Sequence, residues 1–338
     1  MTILAAASQP GYSAVITLTP ISTPFNSAVG IDYHEPTNSV VMSVNYPNGS
    51  PYNFERVQAD GTHTQFSTIS GLTDEVKIAT ARSGSVFATG TLFTGNGVDG
   101  QIARISPDGS GIINPWVDLP GAGNGLMRGS LYVDRTGVYG GDLLVATTGG
   151  ELWRVNAAGV PTMLADVNVH LEGLLSIPND VATYGPLAGK IIAGAEDQSL
   201  LYAFDGTGAF TTHNVGVAIE DIDLIPENEN FFGVNYGTGR LLGAPASQFD
   251  GIEGDILLTQ EFDTDSGLHR LYWNGSSLVT EALSLGPGSF DPGQWEHVTF
   301  APAGIQEIRT VVPDPSATLP LLSLAIAGIV WFRRSMRV

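Results

Sequence analysis

Three glutamates head the same short motif, Glu-x-apolar-x-x-apolar-Pro: Glu172 in EGLLSIP, Glu220 in EDIDLIP and Glu296 in EHVTFAP. Asp221 and His297 stand beside two of them, and weaker copies begin at Gly30 (GIDYHEP), Glu75 (EVKIATA) and Arg128 (RGSLYVD). Equivalent positions in units arranged around one axis come to the same level, so these carboxylates are expected to converge. Like charges that converge need a cation, an arginine or raised pKa values. An oxygen-rich set of this kind suits calcium. Glu172, Glu220, Glu296, Asp221 and His297 are therefore the candidate metal residues, with Arg128 placed to neutralise one carboxylate. In the plainer reading the glutamates cap strand ends or bond backbone amides between units.

Other chemistry is sparse, and no catalytic residue is assigned. Gly95-Asn-Gly97-Val-Asp-Gly100 matches GxGxxG, but it lies between two strand-like segments with no helix behind it to hold a pyrophosphate, so it reads as a hairpin loop. Asn48 and Asn274 each open an Asn-Gly-Ser triplet, a glycosylation acceptor that is also a preferred turn pair, and the turn reading is favoured. There is no nucleophile elbow, phosphate loop or HExxH. A net charge of −20 argues against nucleic acid, because nothing would neutralise a run of phosphates. With no cysteine, disulfides and thiolate metal sites are excluded.

The elements that must hold the motifs are short strands. Within 141–159, GDLLVATTGGELWRVNAAG, two apolar runs flank Gly149-Gly150, which suggests a two-residue hairpin turn. The unit recurs at 189–205 and 254–273. A hairpin cannot bury its own apolar face, so copies must stack. The motif heads recur at steps of about 44–53 residues, with a last step of about 76 between Glu220 and Glu296. Four strands per step of roughly 40–50 residues is the signature of β-propeller blades. The fold class is thus all-β, a β-propeller over 11–310 with six blades favoured and seven the alternative, a seventh being hidden in the long step. Each motif should form the innermost strand of its blade. The strand at 14–19 should join the last blade and close the ring.

The ends carry the address. Residues 1–10 read as a remnant of an export signal or as a disordered lead: Leu4-Ala5-Ala6-Ala7-Ser8 matches the cleavage end of such a signal, and its basic and apolar parts are expected upstream of Met1. At 311–338, Val312-Pro313-Asp314-Pro315 precedes an apolar stretch to Phe332 and then Arg333, Arg334 and Arg337. As a helix, 315–332 would rise about 27 Å, close to the roughly 30 Å hydrocarbon core, with the arginines on the cytoplasmic side. A C-terminal transmembrane helix is therefore expected.

Pro313, Asp314 and Pro315, the span, and Arg333 and Arg334 together resemble the PEP-CTERM sorting signal, with Asp where that family usually has Glu. The resemblance covers only the tail. It implies export, recognition and cleavage by an exosortase-type enzyme, transient anchoring in the inner membrane, and residence in the cell envelope, on the outer surface or outside the cell. It also implies association with exopolysaccharide or a matrix protein. A six-bladed ring with an acidic centre resembles the lactonase and gluconolactonase-type propellers, which hold one calcium between Glu, Asn and Asp; only Glu172 and the Glu220-Asp221 pair have counterparts here. The function expected is a binding or structural module of the envelope or matrix. The alternative is a calcium-dependent lactonase or esterase.

Overall fold

Runs such as Leu143–Ala146 and Ile191–Ala195 are too short for stable helices and are apolar on both faces, so they form strands buried on both sides. A computed structural model describes residues 14–58, 60–73, 75, 78–121, 131–262 and 265–302. Among them are six four-stranded antiparallel sheets. Each starts, at the channel, with one of the strands Ile31–His34, Ala79–Thr80, Leu131–Val133, Glu172–Ser176, Asp221–Leu224 and Trp295–Pro302. These six strands are neighbours in a ring, each against the next and the last against the first. The protein is a six-bladed β-propeller, and all six motifs supply innermost strands as expected. We number the blades 1 to 6 in the order of those strands.

Apolar clusters fill every seam between blades. Ile31, Met42 and Phe232 pack between blades 6 and 1, and Val41, Ile78 and Leu92 between blades 1 and 2. Phe93, Val145 and Trp153 pack between blades 2 and 3. Leu174, Ile192 and Ile222 belong to a cluster running from blade 3 to blade 5, and Phe231, Leu257 and Trp295 join blades 5 and 6. Ile222 is fully buried. Blade 6 needs Gly233, because a Cβ there would lie 2.4 Å from the Trp295 ring.

The long step between Glu220 and Glu296 hides no seventh blade. After the innermost strand of blade 5, Asp221–Leu224, the chain leaves to form Glu229–Asn235 and Arg240–Ala244, the middle strands of blade 6. It then returns to complete blade 5 with Ile256–Thr259, Leu268–Trp273 and Leu278–Ala282. The final strand, Trp295–Pro302, enters blade 6 from the channel side. Blade 6 is finished at its rim by Thr19–Pro20, so both ends of the chain close the ring. Only that part of the expected 14–19 strand does so. Val15–Ile16 instead pairs in parallel with Ser284–Leu285.

Two further readings are corrected or located. The hairpin of blade 3 turns over Thr147–Gly150, not over Gly149-Gly150 alone: Gly150 N–H donates to the Thr147 carbonyl at 2.9 Å, and only Gly150 takes a positive φ, +97°. The GxGxxG segment is the loop between Leu92–Gly95 and Gln101–Ile105, as expected. Arg128, residues 1–10 and the tail with Pro313, Asp314, Pro315, Arg333 and Arg334 lie outside the described residues. Among the described residues no helix is long and apolar enough to cross a membrane.

One carboxylate ties the ring together. Asp32, on the innermost strand of blade 1, accepts hydrogen bonds from Thr80 N and Oγ1 (both 2.8 Å) of blade 2 and Thr299 Oγ1 (3.1 Å) of blade 6. It also accepts two from Arg135 Nη2 (3.1 Å each) behind blade 3. Burial alone would raise its pKa, but Arg135, Arg82 and the Thr80 donors hold the carboxyl down at about 2.

Candidate metal centre

Because the blades are alike, the starts of the innermost strands gather at one mouth of the channel. Three of these starts are irregular in a way that aims a side chain inward. In blade 4, Glu172 pairs with Gly194 and Leu174 with Ala193, so Gly173 is an extra residue, a bulge made possible by its φ of +61°. In blade 6 the register slips between Val298 and Trp295, which leaves Glu296 and His297 opposite a single partner residue. At blade 5, Glu220 N–H bonds the Thr259 carbonyl (2.9 Å), while Asp221 N–H bonds the Thr259 hydroxyl (2.9 Å).

The result is a cavity of about 200 Å³ lined by Glu75, Glu172, Glu196, Glu220, Glu261 and Glu296 with His170 and His297. Carboxylate oxygens of Glu172, Glu196 and Glu220 all lie within 4.8 Å of one another. Glu220 is the most telling of the three. Its side chain faces the cavity and the residue is only 8% exposed, yet its carboxylate has no hydrogen-bond or ion-pair partner among the described residues. Burial, then the charges of Glu172, Glu296, Glu196 and Glu261, push its pKa well above the usual carboxylate value. Burial and the Glu172 charge likewise raise Glu196 to about 7. Burial also raises Glu261, although Gln294 donates to it at 2.8 Å.

Two rim contacts soften the charge. His170 Nε2 lies 2.9 Å from Glu172 Oε1, an ion-pair contact that raises the imidazole pKa. Tyr46 donates its hydroxyl to Glu75 at 3.3 Å. His297 Nδ1 lies 3.2 Å from the Val29 carbonyl, which fixes the ring at the seam with blade 1.

Of the residues expected from the motifs, Glu172, Glu220, Glu296 and His297 meet at this cavity. Asp221 does not line it. It is fully buried and accepts hydrogen bonds from Ile222 N (2.8 Å) and Val298 N (2.9 Å), stitching blade 5 to blade 6. Missed by the motifs were Glu196, Glu261 and His170. Glu196 and Glu261 follow the second strands of blades 4 and 5, which run back to the same mouth. The signal was there: an acid placed just past the second apolar run of a blade.

Below the cavity the channel narrows to a waist among Asp32, Tyr132, Arg135, Asp223 and Thr299, with a void of about 10 Å³, room for roughly one water. The cavities at the two mouths share no lining residue.

No known protein-family profile matches the chain, and no curated protein matches it. Solved structures do. A structural-genomics target classed provisionally as a gluconolactonase matches at TM-score 0.53 and 11% identity, over 87% of this chain and 96% of its own. Virginiamycin B lyase from Staphylococcus aureus matches at 0.46 and 12%, over 79% and 88%. An auxiliary nutrient binding protein from Bacteroides ovatus matches at 0.48 and 9%, over 66% and 60%. At its identity the first of these likenesses speaks for the fold and nothing finer.

Proposed function

We propose that the protein is an exported binding module of the cell envelope or extracellular matrix whose glutamate mouth holds one calcium ion. The observation that carries the cation is the buried Glu220 carboxylate, without a hydrogen-bond or ion-pair partner among the described residues and set against Glu172 and Glu196. Oxygens on a shared calcium, each about 2.3–2.6 Å from it, are at most about 5 Å apart, and the three carboxylates already meet that limit. Glu261 and Glu296 line the same cavity, where they could hold a water on the ion. An ion facing an open cup keeps positions for oxygens of an outside ligand, for which an exopolysaccharide or a matrix protein is proposed.

The tail supplies the address in this reading. Pro313, Asp314 and Pro315 would be recognised by an exosortase-type enzyme, with 315–332 as a transient inner-membrane span and Arg333 and Arg334 inside. Thermal melts of purified protein in excess calcium and in chelator test the cation. A melt unchanged between the two removes it.

A second reading, a calcium-dependent lactonase or esterase, is favoured by one observation. His170 lines the cavity beside Glu172, and that contact raises its imidazole pKa. In that case Glu172, Glu196 and Glu220 would hold an ion able to polarise a substrate carbonyl, and His170 would handle the proton. Calcium-dependent hydrolysis of a lactone panel that fails in a His170→Gln protein still binding calcium would select it.

A further inference from the structure

The opposite mouth is built from different chemistry. Its cup, about 620 Å³, lies among the loops that leave the innermost strands of blades 1, 2 and 3, with Glu229 of blade 6 at its edge, and it is in the size range of small-molecule pockets. Two guanidiniums form its floor. Each rests against a tyrosine ring, Arg82 on Tyr33 at 5.0 Å and Arg135 on Tyr132 at 5.2 Å, which holds it in place. Arg82 spends Nη2 on Asp32 (3.4 Å) and the Phe300 carbonyl (3.0 Å). Arg135 spends Nη2 on the two oxygens of Asp32, while its Nε and Nη1 have no protein partner among the described residues and its side chain is 26% exposed.

The same cup holds an acceptor without a donor. Glu229 makes no hydrogen bond among the described residues; its nearest cation is Arg82 Nη1 at 3.6 Å, beyond hydrogen-bond reach, and its side chain is 25% exposed. The other two acids of the cup are already occupied. Glu35 accepts the Ser83 N–H at 2.7 Å, and Asp134 accepts from Thr136, Ser176, Tyr139 and Gly141. What remains open is a charged donor and a lone acceptor facing one space.

We propose that this mouth binds a small hydroxylated carboxylate of the sugar-acid class, its carboxylate on Arg135 and a hydroxyl donating to Glu229. Free of calcium, the glutamate mouth repels such an anion, and the two cups share no lining residue, so binding here does not need calcium at the far end.

Galacturonate is the probe, with galactose and acetate as controls lacking the carboxylate or the hydroxyls, titrated calorimetrically into the full chain in the presence of chelator. Galacturonate is expected to bind, and both controls to bind more weakly by about tenfold or more, the worth of a charge-assisted hydrogen bond. Arg135→Gln should weaken galacturonate by a similar factor. Ser83→Trp, a substitution at an exposed rim position, should fill the cup and abolish binding while melting like the parent. The inference is overturned if folded protein gives no galacturonate binding, if acetate binds equally well, or if the Ser83→Trp protein binds as tightly as the parent.

Discussion

Removing the charge of Asp32 should loosen the whole ring. In Asp32→Asn the side chain keeps its shape, but an amide NH₂ must now face Thr80 N–H, Thr299 Oγ1 or the guanidinium of Arg135, all of which donate to the carboxylate in the parent. The magnitude follows from the pKa. A carboxyl held at about 2 instead of 3.8 is worth about 2.4 kcal/mol in favour of the ionised, folded form. The side chain is only 4% exposed, so little of this is screened. Leaving Arg135 and Arg82 short of a counter-charge adds to the loss, which brings the expected cost to about 2–4 kcal/mol. The folded pKa lies below the unfolded one, so this contribution is complete above about pH 4 and fades as pH falls through about 2. Urea unfolding of parent and variant at pH 7 reads the difference directly, and the same pair at falling pH should converge. A cost below about 0.5 kcal/mol, the range of ordinary surface changes, or a gap that ignores pH, would refute the reasoning.

Four other outcomes are expected. Ile222→Asp places an unpartnered charge in the seam between blades 4 and 5 and should cost several kcal/mol, so an unchanged melting temperature would contradict the seam assignment. Glu220→Gln should stabilise the calcium-free protein at pH 8, because two carboxylates 4.8 Å apart repel by about 1 kcal/mol in bulk water and about 3.5 kcal/mol at an effective dielectric of about 20; a loss of stability there would mean that the carboxylate has a protein partner. Glu196 and Glu220 have raised pKa values, so calcium-free stability should fall as pH rises from about 4.5 through 7, and the gain in melting temperature on adding calcium should widen between pH 5 and 8. Intact mass of protein recovered from the producing cell should lack the residues beyond Pro315, whereas a mass that includes Val338 would rule out the processing.

The repeat was readable because every innermost strand carries its own motif, and burial on both faces demands the same apolar runs each time. Blade count was readable only up to the long step. Nothing local in Asn230–Tyr236 says that it pairs with Phe300 rather than with Ile222, because that pairing is decided when the ring closes. The acid cluster was half legible. Glu172, Glu220 and Glu296 share a motif position, whereas Glu196, Glu261 and His170 reach the mouth from loops whose place depends on how blades stack. Asp221 was assigned to the cluster by its neighbour, although side chains along a strand alternate sides. When Glu220 faces the mouth, Asp221 turns into the wall, where it bonds Val298. Asp32 carried no signal as an anchor, since its partners come from three other blades.

The central claim is that the glutamate mouth binds a divalent cation, and direct calcium titration of chelator-stripped protein tests it. Calorimetry should show one calcium per chain with affinity between about micromolar and millimolar. The Glu172→Gln/Glu220→Gln protein, still folded, should show no binding. Absence of binding heat and of retained metal in the parent, or the same isotherm in the double variant, would contradict the account.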